Sequence, residues 1–150
     1  MTNNSGSPRI AMTLLFITLV FSPWSNVGAE DGSADKAIHQ SLDQGIDAFN
    51  NENLSGALQA VHPDSPTYEV TKEQISRIFN NYDVKLELVD FDFIGESGPY
   101  AFVHAKEKST KLSDTDFRNN TTDVVYIFRK HNNQWKLWGE SVLETTFEDE

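Results

Sequence analysis

The sequence predicts an α+β domain in which three helices cover one face of a curved four-stranded antiparallel sheet. Three observations carry this. Between residues 34 and 82 apolar side chains recur at helical spacing in three separate stretches. From Val84 onward the apolar period changes to two. Residues 121–143 (TTDVVYIFRKHNNQWKLWGESVL) have the form of a β-hairpin with unlike faces.

Before these elements lies a stretch with the form of an export leader. Arg9 supplies a positive charge, residues 10–21 (IAMTLLFITLVF) an apolar core, and Val27-Gly28-Ala29 a cleavage context ahead of Glu30. The core falls short of the roughly 20 residues of a spanning helix, so no stable membrane span is expected. Cleavage after Ala29 gives a signal peptide over residues 1–29 and a single domain over residues 30–150, secreted or periplasmic; an uncleaved anchor is the alternative.

In the first helix Ala34, Ile38, Leu42, Ile46 and Phe49 form one apolar stripe, weakened slightly by Gly45. Asn50-Asn51-Glu52-Asn53 ends it and can cap a shorter second helix, whose face is Leu54, Ala57, Leu58 and Val61. His62-Pro63-Asp64-Ser65-Pro66 stops that helix. Thr71 and Gln74 have capping-box spacing and are expected to open a third helix, with Ile75, Ile78, Phe79 and Tyr82 on one face.

The first strand alternates at Val84, Leu86 and Leu88, then changes parity near Val89-Asp90 to Phe91 and Phe93, as a β-bulge would make it. GESGP at residues 95–99 is turn chemistry. In the next strand Tyr100, Phe102 and His104 alternate with Ala101, Val103 and Ala105, and residues 109–120 form a polar connection tacked down by Phe117. In the closing hairpin Asn132-Asn133 serves as a two-residue turn. That register sets Phe128 opposite Leu137, Ile127 opposite Trp138 and Tyr126 opposite Gly139. One face then carries Val124, Tyr126, Phe128, Trp135 and Leu137; the other carries Val125, Ile127 and Trp138, diluted by Arg129, Lys136 and Glu140. Residues 145–150 are expected to trail off as an acidic tail.

Composition excludes several functions. Acidic residues number 23 against 12 basic, a formal net charge of -11, which argues against a nucleic-acid backbone or an anionic membrane as partner. The absence of cysteine excludes a disulfide framework, a thiolate metal site and a cysteine nucleophile.

The helical opening, YDVKLELVDFDF as the first long strand and DVVYIFRKHNNQWKLWGESV as the closing hairpin together resemble the nuclear transport factor 2-like (SnoaL-like) superfamily, over about residues 36–142. The resemblance implies a cone-shaped roll with an apolar pocket at its open end, often dimeric through the outer sheet face. Some members are isomerases, dehydratases or hydrolases of hydrophobic small molecules with carboxylates, Tyr or His in the pocket; many others only bind or associate. No enzyme motif of the family matches here residue by residue, and only residues 65–70 are available for the extra strand many members carry before the third helix. The expected function is therefore binding of a small apolar ligand or of a protein partner, without catalysis and without a cofactor. The alternative is a cofactor-free acid–base enzyme acting on a hydrophobic small molecule.

Within that frame Tyr100, His104, Tyr126 and Trp135 are the candidate ligand-binding residues. His104 shares strand parity with Tyr100 and Phe102, so it is placed toward the pocket as a general base or relay near Tyr126; a hydrogen-bonded histidine at the core edge is the competing reading. His62 and Asp64 form a His-x-Asp pair, but a metal site needs a further convergent ligand and spacing supplies none, so no metal is expected. Asp90 and Asp92 fit the solvated face of a strand better than a catalytic carboxylate pair. Val125, Ile127, Trp138 and Val142 leave apolar area on the uncovered sheet face, where a homodimer is expected.

Overall fold

The computed structural model describes residues 31–148; the leader expected over residues 1–29 lies outside them. Three helices, α1 (Asp31–Asn50), α2 (Leu54–Gln59) and α3 (Tyr68–Asn81), precede four strands, β1 (Val84–Ser97), β2 (Tyr100–Lys111), β3 (Asn120–His131) and β4 (Gln134–Phe147). The strands form one antiparallel meander in the order β1-β2-β3-β4. Among the described residues no helix is long and apolar enough to cross a membrane.

The core lies between α1 and the concave face of the sheet. Ala34, Ile38 and Leu42 of α1 pack with Ala101, Val103 and Ala105 of β2, Val124, Tyr126 and Phe128 of β3 and Trp135 of β4. Ile38, Ala101 and Val103 are fully sealed from solvent. The inward side chains of β2 are small and buried in this core, while the backbone of α1 comes closest to β1 and β4. The Asn50 amide ties the end of α1 to β1, donating to the Leu86 carbonyl at 2.9 Å and accepting the Leu86 N–H at 2.8 Å.

Asn53 caps α2 by accepting the Gly56 N–H at 3.0 Å. The third helix begins at Tyr68, not at Thr71. Ser65 Oγ accepts the Thr67 N–H at 3.1 Å, and that turn launches the helix early enough for Thr71 N–H to donate to the Thr67 carbonyl. No residue of α3 is fully buried. It leans on α1 through Phe49 and Phe79, whose rings are 5.1 Å apart, and so stands off the sheet.

The bulge expected near Val89 is present: the β1–β2 register shifts between Leu88 and Asp90, and again between Phe93 and Gly95. The hairpin turn is also as expected, with Asn132 and Asn133 both at positive φ (48° and 61°), the backbone of a type I′ turn. Beyond it the expected register fails. Phe128 pairs with Leu137, but Ile127 pairs with Gly139 and Tyr126 with Glu140, so Trp138 is the extra residue of a bulge. A second shift lies between Asp123 and Val124. Residues 145–147 do not trail off: Thr145, Thr146 and Phe147 pair with Thr122, Thr121 and Asn120. Further contacts hold that end: the Glu148 N–H donates to the Asn119 carbonyl at 2.9 Å, Lys108 Nζ lies 2.6 Å from Glu148 Oε1, and the Arg118 guanidinium sits 4.6 Å from the Phe147 ring. Phe117 does tack the β2–β3 connection down, its ring 5.6 Å from Tyr82.

Phe128 is 1% exposed and sits at the centre of the core. Phe128→Ala is expected to lower the unfolding free energy in urea by about 3–5 kcal/mol, whereas Val89→Ala on the exposed bulge should change it by less than about 0.5 kcal/mol.

Candidate functional site

A helix covers only part of a bent sheet. Where α3 leans away, a cavity of about 280 Å³ opens between the three helices and the concave face. Leu42, Ile46 and Phe49 of α1 and Ile75 and Ile78 of α3 give it apolar walls. Its sheet side is different: Glu107 and Ser109 of β2, Tyr126 of β3 and Glu140 of β4 all line it. Strand parity places them there. Glu107 continues the inward series of Ala101, Val103 and Ala105 (two residues apart along β2), and Glu140 lies directly across from Tyr126.

The three titratable groups act on one another. The Tyr126 hydroxyl acts on the Glu107 carboxyl and favours its charged form. Burial pushes the Tyr126 hydroxyl well above its ordinary value of 10.0, and the charges of Glu107 and Glu140 push it further, so it stays a donor. Burial also raises the Glu107 carboxyl; the Glu140 charge adds to this and the Tyr126 hydroxyl opposes it. Glu140 sits at the open mouth, in contact with solvent on one side and crowded by protein on the other, and the crowding raises its pKa. Two carboxyl groups that protonate more readily than surface glutamates, beside a phenol, can both donate and accept hydrogen bonds or pass a proton.

Of the candidate ligand-binding residues, Tyr126 is in the cavity. Trp135 is buried in the core and borders a separate polar groove of about 530 Å³, between α1, α2 and the hairpin tip, with Gln40, Gln44, Gln59 and Lys136. Tyr100 and His104 face away. The β2 residues buried against α1 are Ala101, Val103 and Ala105, so their neighbours Tyr100, Phe102 and His104 point to the convex face. There His104 Nε2 lies 2.5 Å from Asp123 Oδ1, and Lys106 Nζ lies 3.7 Å from Asp123 Oδ2. Tyr100 packs near Trp138, centroids 6.2 Å apart, with the Arg129 guanidinium 4.5 Å above the Trp138 ring.

The candidate interface is divided by the bulge. Val125 and Ile127 remain half-buried on the convex face, but Val142 pairs with Val124 and shares its concave side, 55% exposed beyond the helices. Glu140 moves inward for the same reason, away from Arg129 and Lys136. Glu107 and Glu140 were missed in the sequence because each depended on a strand parity that the sequence left ambiguous. Asp90 and Asp92 are exposed, as expected. His62 and Asp64 do gain a third partner, His131, with one ligand atom of each within 4.8 Å of the others.

Over residues 40–147 the sequence matches the family described as anti-sigma-I factor RsgI9, C-terminal domain. No curated protein matches the chain. Among solved structures, a conserved protein from Planctomyces limnophilus is similar at a TM-score of 0.63 and 16% identity, covering 78% of this chain and 99% of that one. An NTF2-like protein of unknown function from Pseudomonas putida gives 0.61 and 13%, covering 75% and 87%. A ketosteroid isomerase-like protein from Erwinia carotovora atroseptica gives 0.53 and 15%, covering 73% and 95%. These likenesses establish the fold: it is that of the nuclear transport factor 2-like superfamily.

The raised Glu107 carboxyl has a consequence for stability. The group holds its proton more tightly in the fold than in the unfolded chain, where 4.5 is the ordinary value. Its contribution is complete below that value and is lost as pH rises through the folded value. Glu107→Gln removes the loss. Thermal unfolding of the two proteins should therefore nearly coincide at about pH 4, and the variant should melt higher at about pH 8.

Proposed function

Because the chain belongs to the family described as anti-sigma-I factor RsgI9, C-terminal domain, and carries the nuclear transport factor 2-like fold, we propose that it is an exported, non-catalytic binding domain for a small apolar molecule bearing one polar group. The observation that carries this is the composition of the cavity: apolar helix walls facing a polar end made by Tyr126, Glu107 and Glu140. Such a site rewards a ligand whose hydrocarbon body leaves water and whose polar group meets both a donor and acceptors. At about 280 Å³ the cavity accommodates a small molecule and excludes a folded partner. The family description is that of a regulator's domain, and regulation by ligand needs occupancy, not turnover.

The export part of the proposal rests on the leader-like residues 1–29. Homodimerisation rests on the convex face, where Phe102, Val125 and Ile127 remain half-exposed.

A second reading is favoured by one observation, the raised Glu107 carboxyl against the Tyr126 hydroxyl. In an apolar cavity that pair suits a cofactor-free acid–base enzyme acting on the same class of molecule. Glu107→Gln separates the two: under the binding reading it shifts affinity and no product forms with either protein, and under the enzymatic reading it abolishes turnover while binding persists.

Native mass spectrometry of the protein purified from the extracytoplasmic fraction of its own host tests the leading proposal. The expected spectrum shows a dimer of chains beginning at Glu30, each with a retained small molecule. Ile46→Trp, which fills the cavity, should release that molecule without changing the circular dichroism. A ligand-free wild-type chain, or a ligand that survives Ile46→Trp, contradicts the cavity assignment. A chain that still begins at Met1 contradicts export, and a monomer contradicts the dimer.

A further inference from the structure

His62, Asp64 and His131 each bring one ligand atom to within 4.8 Å of the others. They come from the turn after α2 and from the last residue of β3, and hydrogen bonds to the backbone of β4 gather them. The His62 N–H donates to the Leu137 carbonyl at 2.8 Å, the Leu137 N–H donates to the Ala60 carbonyl at 2.8 Å, and Ser65 Oγ donates to the Trp138 carbonyl at 2.7 Å. The turn is thereby stitched to the outer edge of β4, beside the hairpin end that carries His131. His62 is 2% exposed, and its ring stands edge-on to both His131 and Trp138 with centroids 4.9 Å away in each case. An imidazole fixed in this way has already lost its rotamer freedom before any ligand arrives. His131 is half-buried and Asp64 exposed, so the cluster opens to solvent.

We propose that His62, Asp64 and His131 form a site for a divalent first-row transition metal, with zinc as the best match. Two imidazole nitrogens and one carboxylate oxygen are a donor set that zinc accepts, with its fourth position left to water or to a ligand from outside. Donor atoms around tetrahedral zinc lie about 3.3 Å apart. Closing from the present spacing therefore takes rotation of His131 and Asp64, the two less buried members, together with a shift that frees the His62 Nδ1 lone pair. His62 Nδ1 now accepts the Asp64 N–H at 3.1 Å. A zinc ion taking Nδ1 displaces that N–H and leaves the proton on Nε2.

Arg129 and Lys136 are close enough to act on His62 and oppose a cation there. Each is engaged elsewhere, Arg129 over the Trp138 ring at 4.5 Å and Lys136 donating to the Gln59 carbonyl. With three protein ligands and two nearby positive charges, affinity is expected at about the micromolar level, weaker than a four-ligand structural site. A bound ion would cross-link the helix layer to the hairpin end of the sheet.

The untagged full chain, titrated with Zn²⁺ by calorimetry and with Co²⁺ in the visible ligand-field bands, should bind one ion, and zinc should raise its melting temperature. His131→Ala and Asp64→Asn should each weaken binding at least roughly tenfold and remove the zinc-induced rise. His39→Ala, which removes the exposed His39–Asp43 pair at 3.3 Å, should change neither. Unchanged circular dichroism of the zinc-free variants guards against loss of fold, and Asp64→Asn alters only an exposed side chain. No binding below about 100 μM zinc, binding that survives both substitutions, or binding lost with His39→Ala would overturn the proposal.

Discussion

A bent sheet with one apolar face presents more area than a single helix can cover, and that mismatch shapes the whole molecule. α1 seals the core it shares with the sheet, where Ile38, Ala101 and Val103 have no solvent access. Close packing there is set by removing apolar area from water at roughly 25 cal/mol per Å². Further along the strands α3 touches α1 through an aromatic pair and leaves the sheet uncovered. The inward series of β2 changes character at the same point, from Ala101, Val103 and Ala105 to Glu107 and Ser109. Polar residues occupy the concave face only where no helix covers it.

The bulge at Trp138 then decides what the cavity contains. One extra residue in β4 exchanges the two faces of the strand beyond it. Without it Gly139 would lie across from Tyr126, and Glu140 would stand among Arg129 and Lys136 on the convex side. With it Glu140 completes the polar end. The displaced indole of Trp138 becomes a platform for Tyr100, Arg129 and His62. The carbonyls beside it hold the turn after α2, and that turn shields an otherwise open strand edge. Cavity chemistry and the histidine cluster therefore share one backbone irregularity.

Much of this architecture was legible in the residues. The apolar stripes of α1 and α3, the Asn132-Asn133 turn and the parity change at Val89 each have a local cause, and each is in the structure. What failed was non-local. In β2 both parities are apolar, so shared parity with Tyr100 and Phe102 does not decide which face His104 takes. In the structure alanine and valine face inward and the aromatic set lies on the convex face. The Trp138 bulge has no sequence marker of the kind Val89 offers, because the apolar pattern on its two sides is too short to show a slip. Glu107, Glu140 and the true position of His104 were hidden by these two ambiguities. His131 stood in a turn with nothing in its spacing to link it to His62; only the register of β4 brings them together.

The cross-strand register of β3 and β4 tests the account most directly, because the polar end of the cavity and the convex face both follow from it. Nuclear Overhauser contacts between backbone protons report it residue by residue. The account predicts cross-strand contacts of Tyr126 with Glu140 and of Phe128 with Leu137, with Trp138 paired to neither neighbour. Contacts joining Tyr126 to Gly139 and Ile127 to Trp138 would show an unbulged hairpin, turn Glu140 to the convex face and contradict the site built on it.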